Sequence, residues 1–124
     1  MIILDTSIWI EFFRNRSPFF GAVGSLLESG EVLGLECVFG ELLQGVIGKQ
    51  ERKIILECWD GIPKYTELNL WLEAGEYSAI HRLSTRGIGL IDAAIAVATL
   101  KTASSLWTLD KKLISILPGI HLVR

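Results

Sequence analysis

The chain begins MIILDTSIWIEFFR (residues 1–14), which places a carboxylate directly after a run of four apolar residues. Residues 2–4 have the composition of a short buried strand, and Asp5 follows where that strand ends. Ser7 is suited to cap a helix over residues 8–14, one side of which is apolar. A charge at the edge of a core costs free energy unless it is paired, solvated or bound to a metal. Whether Asp5 has a structural or a metal-binding role therefore depends on whether other acids occupy similar places.

The rest of the chain alternates between short apolar runs and longer helical patterns. Expected strands cover residues 2–4, 31–35, 65–68, 105–109 and 120–123, and expected helices residues 8–14, 18–30, 37–46, 50–60, 70–86, 91–101 and 111–117. Alternating strands and helices imply a parallel sheet with both faces covered. We therefore expect an α/β fold with three layers, α/β/α, around a central and mainly parallel sheet.

Length and composition favour a small globular protein. The chain has 124 residues, 50% of them hydrophobic, and its net charge of -2 comes from 12 basic and 14 acidic residues. We expect a single domain, residues 1–124, that is soluble and cytoplasmic, since no apolar run reaches the roughly 18 residues that span a membrane and no basic leader precedes the apolar start. Cys37 and Cys58 form no metal motif and are expected to be buried free thiols. The charge argues against non-specific coating of DNA, but it allows nucleic acid to bind at a local patch or through a metal.

Three further acids are candidates, two of them at a strand end or a helix start. Asp110 follows the strand at 105–109, and Asp92 opens the helix at 91–101. Glu41 borders the apolar stripe of the helix at 37–46. Each has a plain structural explanation: Asp92 as a helix-start residue, Asp110 as an N-cap, and Glu41 as a solvated side chain.

Taken together, the four acids indicate a cation site. Ligands bind outside the carboxyl ends of strands in open parallel sheets, which is where Asp5 and Asp110 fall. Carboxylates that converge there repel one another unless a cation lies among them. Ligand sets made only of oxygen suit Mg²⁺ or Mn²⁺. The expected reason for Asp5 at the end of a buried strand is therefore a metal at the mouth of the sheet.

The segments that carry these acids resemble the motifs of PIN domains, and specifically of VapC-type toxin ribonucleases. LDTSIWIEFFR resembles the first motif, GELLQG the helix with the glutamate, LIDAAIAVATLK the third motif and LWTLDKK the fourth, in the right order along essentially the whole chain. The chain departs from the family at Leu113, where an aromatic residue is common, and at Trp107. The family's acidic positions fall on Asp5, Glu41, Asp92 and Asp110, and its polar positions on Thr108 and on Thr6 or Ser7.

This resemblance implies a Mg²⁺-dependent endoribonuclease, with Mn²⁺ as a substitute, that is the toxin of a type II toxin–antitoxin system. Asp5, Asp92 and Asp110 would hold the metal, which would activate a water against an RNA phosphodiester. Glu41 would hold a second ion or orient the attacking water. The expected partners are the RNA substrate, an antitoxin whose apolar segment fits a groove beside the first helices, and a second copy in a homodimer.

Several questions stay open in the sequence. Lys111 and Lys112 follow Asp110 and either steer phosphate toward the metal or form a solvated helix face. A PIN nuclease of RNA processing, or one acting on DNA, would carry the same acids. A non-catalytic binding domain would keep them as helix caps. A receiver-like signalling domain fits poorly, because Asp5 has no acidic neighbour.

Overall fold

Two short parallel strands form the centre of the protein in this computed structural model, which describes residues 1–123. Strand β1 (Ile2–Leu4) pairs with β2 (Ser105–Trp107), with Ile3 opposite Leu106. Single parallel bridges join further segments on both sides, and the order across the sheet is Lys64, Val32 to Gly34, β1, β2, Leu122.

Helices cover this sheet and make up most of the described chain. Among residues 1–123, no helix is both long enough and apolar enough to cross a membrane. The helices are α1 (Thr6–Phe13), α2 (Phe19–Glu28), α3 (Glu36–Gly45), α4 (Lys49–Asp60), α5 (Leu70–Ile80), α6 (Leu90–Lys101) and α7 (Lys111–Ile116), with 3-10 turns at Ser84–Arg86 and Gly119–His121.

Four of the expected strands are shorter than predicted, since the strand expected at 105–109 ends at Trp107 and three others are reduced further. The segments predicted at 31–35, 65–68 and 120–123 pair only through isolated bridges, the second of them at Lys64, one residue before its predicted start. The segments are brief because helices follow closely: α3 begins at Glu36, and a 3-10 turn occupies part of the last segment. The parallel direction of every pairing agrees with the prediction.

The helix predicted over 70–86 is wrong in its second half. Helix α5 ends at Ile80, and Arg82 adopts a left-handed backbone with φ of 53°. This turn directs Leu83 into a second apolar cluster, where it is fully buried beside Ala74 and Ile88. Burial of that leucine offsets the cost of ending the helix early and of the strained residue.

Helix α6 runs through the interior and carries Asp92 in its first turn. Every residue of its middle segment, from Ala93 to Thr99, is buried. Four of these seven residues are alanines, whose small side chains let α5 and the sheet approach the helix closely. The helix therefore fixes the depth and direction of the acid at its start.

Candidate active site

Asp5 is buried, with 5% of its surface exposed, at the carboxyl end of β1. It is the N-cap of α1, so the prediction that Ser7 caps this helix is wrong. One carboxylate oxygen, Oδ1, accepts hydrogen bonds from the N–H of Ser7 at 3.0 Å and of Ile8 at 3.4 Å, and also from the Ser7 hydroxyl. The other oxygen, Oδ2, accepts from the hydroxyl of Thr108. The charge is thus stabilised by an array of fixed donors.

Two hydroxyls join the chain that leaves β1 to the chain that leaves β2. Thr108 Oγ1 donates to Asp5 and accepts from the N–H of Asp110 at 2.9 Å. Ser7 Oγ accepts from the N–H of Leu109 at 3.0 Å. Both polar positions suggested by the resemblance therefore lie against the first acid, and they hold Asp110 on the same edge of the sheet.

Glu41 reaches this edge from α3. The carboxylate accepts a hydrogen bond of 2.8 Å from the hydroxyl of Thr6, in the first turn of α1. The side chain is half-buried, so the interpretation of Glu41 as a plain solvated residue is wrong. The contact anchors the acid between two helices that pack side by side.

Asp92 and Asp110 complete the group. Asp110 is the N-cap of α7 and accepts from the N–H of Lys112 at 2.9 Å through Oδ1. Asp92 is half-buried, and burial raises its pKa, as do the charges of Asp110, Glu41 and Asp5; only Lys112 lowers it. The charges of the other three acids therefore reach Asp92.

The donors suit a hard cation by their chemistry, since they are all carboxylate oxygens. As the side chains stand, no three acids among residues 1–123 converge closely enough to hold an ion. Asp5 and Glu41 instead accept hydrogen bonds from neighbouring hydroxyls, those of Thr108 and Thr6. That Asp5, Asp92 and Asp110 are the metal ligands stays a prediction.

The two departures from the family pattern are packing positions. Leu113 is fully buried in the main core, and Trp107 packs against Phe19 with ring centroids 5.7 Å apart. Cys37 and Cys58 are free and half-buried, and burial raises the pKa of each thiol to about 11. Neither thiol belongs to the acidic group.

An apolar groove of about 270 Å³ opens beside Thr6 and Glu41. Its walls come from α1, α3 and α4, and include Ile10, Phe13 and Ile54. A larger cavity of about 460 Å³, between α3, α4 and α5, contains none of the four acids. The smaller groove is therefore the one connected with the candidate site.

A sequence model of the PIN domain family matches residues 2–116, a span that includes all four acids. The chain belongs to the PIN domain family. This confirms the resemblance drawn from the motifs. PIN domains are generally nucleases, which makes this PIN domain a nuclease candidate. No curated protein matches the sequence.

Solved structures share the fold of this PIN domain at low sequence identity. VapBC2 from Rickettsia felis, solved bound to a DNA fragment from their promoter, is 19% identical with a TM-score of 0.73, covering 99% of this chain and 98% of that chain. PAE2754 from Pyrobaculum aerophilum is 13% identical with a TM-score of 0.66, covering 95% and 85%. FitAcB from Neisseria gonorrhoeae is 19% identical with a TM-score of 0.57, covering 93% and 91%. The predicted α/β architecture is confirmed.

One feature of the site had no signal in the sequence. The Nζ of Lys112 donates a 3.2 Å hydrogen bond to the carbonyl of Gly87, in the turn that precedes α6. The two residues are 25 positions apart, and no motif relates them. The sequence marked Lys112 as a candidate only through its closeness to Asp110.

Proposed function

We propose that this PIN domain is a Mg²⁺-dependent endoribonuclease and the toxin of a VapBC-type toxin–antitoxin pair. The observation that carries the proposal is the sheet edge where Thr108 bonds both Asp5 and the N–H of Asp110, and where burial and the charges of three acids raise the pKa of the half-buried Asp92. Groups with such perturbed pKa values cluster at functional sites. Family membership supports the nuclease activity, and the motif resemblance supports RNA as substrate.

The four acids and three neighbouring hydroxyl residues would have different roles in the reaction. Asp5, Asp92 and Asp110 would hold Mg²⁺, and Glu41 would orient the attacking water or help to hold a second ion. Thr108 and Ser7 keep the Asp5 carboxylate in one orientation, and Thr6 does the same for Glu41. Bound there, Mg²⁺ supplies a Lewis acid that polarises a phosphodiester and lowers the pKa of a water.

An antitoxin is the proposed protein partner. The groove of about 270 Å³ offers an apolar surface beside the acids, of the kind that accepts an apolar helix or extended segment. A partner seated there would cover the approach to Glu41. The proteins of similar fold include VapBC2 and FitAcB, which is consistent with such a pairing. We also propose a homodimer in the cytoplasm, on the strength of the resemblance.

The decisive experiment measures cleavage by protein freed of any co-purified partner. Total RNA, single-stranded RNA and single-stranded DNA are incubated with the protein plus Mg²⁺, Mn²⁺ or EDTA. We expect internal cuts in RNA that need either cation and stop in EDTA. Undiminished cleavage in excess chelator would show that the reaction needs no metal. Preferential cleavage of DNA would show that RNA is not the preferred substrate.

A matched pair of variants links the activity to the site. Asp92→Asn removes one negative charge from the acidic group, and Asp60→Asn removes one from the exposed end of α4. We expect Asp92→Asn to lose cleavage and Asp60→Asn to keep it. A folded Asp92→Asn protein with wild-type activity would favour the alternative, a binding domain that retains its acids for structural reasons.

A further inference from the structure

The ammonium group of Lys112 is held next to the candidate site. Its Nζ donates to the Gly87 carbonyl at 3.2 Å, and its backbone N–H donates to Asp110 Oδ1. Its charge acts on Asp92 across the site. The lysine is nevertheless exposed, so a ligand in solvent can reach it.

Lys112 forms no ion pair with any acid among residues 1–123, although its charge acts on Asp92. Other cations of the chain do pair: Lys101 contacts Glu67 at 3.0 Å and Glu73 at 2.9 Å, and Arg16 contacts Glu11 at 3.3 Å. An ammonium group has three donors, and the Gly87 carbonyl uses one. Two donors and a full charge are left for an anion.

Further hydrogen bonds, besides the one from Nζ to Gly87, hold the region around Lys112 in place. Arg86 donates to Ser115 Oγ at 3.2 Å, and the Ser115 hydroxyl donates to the Lys112 carbonyl at 2.6 Å. These bonds fix the turn containing Gly87 to helix α7. Hydrogen bonds therefore hold both the backbone of Lys112 and its Nζ. Because the side chain is already ordered, less conformational entropy is lost when Nζ contacts a ligand.

We propose that Lys112 is a substrate-binding residue whose ammonium contacts a backbone phosphate of the RNA. The inference rests on the proposed function and adds a residue to it. A site built from four acids repels a polyanion, and a fixed cation at its border offsets that repulsion where the strand enters. The neighbouring Lys111, which is exposed and has no hydrogen bond through Nζ among residues 1–123, would contribute only to the general field.

The test compares four variants with the wild type. Lys112→Met keeps the length of the stem and the backbone N–H that Asp110 accepts, Lys112→Arg keeps the charge, and Lys111→Met removes the adjacent charge. Lys53→Met removes an exposed charge from α4 and is the control. Binding of a labelled single-stranded RNA is followed by fluorescence anisotropy in EDTA over a range of salt, and KM, kcat and the Mg²⁺ requirement are measured separately.

We expect Lys112→Met to weaken RNA binding and raise KM about tenfold, a loss equivalent to about 1.4 kcal/mol. The slope of log K against log salt should fall in magnitude by about 0.7, the value for one phosphate contact on a single strand. The Mg²⁺ concentration for half-maximal activity should stay the same or fall, because a positive charge near the acids opposes cation binding. If the substitution only disturbed the structure of the site, the Mg²⁺ concentration for half-maximal activity should instead rise. Lys112→Arg should recover most of the binding, and Lys111→Met should show a smaller loss.

Equal losses in Lys111→Met and Lys112→Met, or an unchanged salt slope in Lys112→Met, would overturn the inference. A wild type that cleaves RNA while Lys112→Met keeps its KM would reject only the role of Lys112. A wild type that neither binds nor cleaves RNA would reject the proposed function as well.

Discussion

Asp5 has two tasks that depend on the same carboxylate. It caps α1 through Oδ1, and it presents Oδ2 to Thr108 at the mouth of the sheet. Asp110 repeats the arrangement one strand away, since it caps α7. An N-cap uses one oxygen and places the negative charge at the positive end of a helix. The structural and the functional explanations of these two acids are therefore compatible.

Asp5→Asn separates these tasks. Asparagine is as good an N-cap as aspartate, so α1 keeps its start. Hydrogen bonds to a charged group contribute about 1.5–3 kcal/mol and neutral ones about 0.5–1.5 kcal/mol, so the lost charge costs roughly 1–1.5 kcal/mol. Weaker repulsion from Asp92 and Asp110 offsets part of this cost. We expect the free energy of unfolding in EDTA to fall by about 1 kcal/mol, and cleavage per folded molecule to fall by orders of magnitude. Thermal melts and cleavage rates measure the two effects.

The control for this variant is Asp60→Asn, at an exposed position outside the acidic group, which should leave both the melt and the rate unchanged. Added Mg²⁺ gives a second readout. Because a cation that binds only the folded state stabilises it by mass action, the wild type should melt at a higher temperature in Mg²⁺ than in EDTA, and Asp5→Asn should show a smaller rise. A variant that melts early but cleaves at the wild-type rate would show that Asp5 is structural only.

At the scale of elements, local pattern predicted the helices well because the information they need lies within a few residues. The start of α6 and the end of α4 were each predicted within one residue. Strand length depends instead on where the partner segment leaves the sheet. Residues 31–35 have a strand-like composition, but Glu36 already begins a helix, and no local signal shows that only single bridges form. The end of α5 was missed for a similar reason, since Leu83 is drawn into a cluster of residues distant in sequence.

The site was predictable to the same extent. Asp5, Asp92 and Asp110 could be found because each lies next to a strand end or a helix start, and such places can be recognised from sequence. Glu41 lies inside α3 and was found only from its position beside the apolar stripe of that helix. Their hydrogen-bond partners Thr6 and Thr108 entered only through the family resemblance. The contact between Lys112 and Gly87 could not be anticipated, since it depends on how the turn before α6 packs on α7.

Gly34 is the position where the sheet edge depends on a missing side chain. A Cβ added there would lie 2.6 Å from Ile62 Cδ1 and 2.9 Å from a ring carbon of Trp59. We expect Gly34→Ala to lower the free energy of unfolding by about 1–3 kcal/mol, because overpacking forces side chains from their rotamers. Urea denaturation of the purified protein measures the change.

Gly24→Ala is the matched control, since it lies inside α2 with no atom within 4 Å of the new methyl group. Alanine stabilises a helix interior relative to glycine by roughly 0.5–1 kcal/mol, so this variant should be more stable than the wild type. Two substitutions of the same chemistry should thus act in opposite directions. A Gly34→Ala protein as stable as the wild type would mean that Ile62 and Trp59 can move aside for the methyl group without cost.

For the whole molecule, fold similarity and function rest on different evidence. Solved structures between 13% and 19% identical share the arrangement of helices around a parallel sheet, which means that many sequences satisfy this shape. The proposed activity would depend on a few acids at one edge, and the proposed toxin role would depend further on a partner that can cover them. Each step therefore needs its own test, and cleavage in a tube does not establish toxicity in a cell.

The last prediction addresses the toxin role through bacterial growth. Expressing the wild-type chain alone should arrest growth, because an uncontrolled endoribonuclease depletes cellular RNA. Asp5→Asn, produced at equal soluble level, should permit growth, and so should wild type co-expressed with its antitoxin. If the groove beside Glu41 receives that antitoxin, Ile54→Glu on α4 should stay toxic but resist rescue, since a charge in an apolar contact weakens binding. If folded wild type accumulates without harming the cells, yet cleaves RNA after purification, the toxin role is contradicted. The remaining explanation would be a PIN nuclease of RNA processing, because its activity would not destroy an RNA that growth requires.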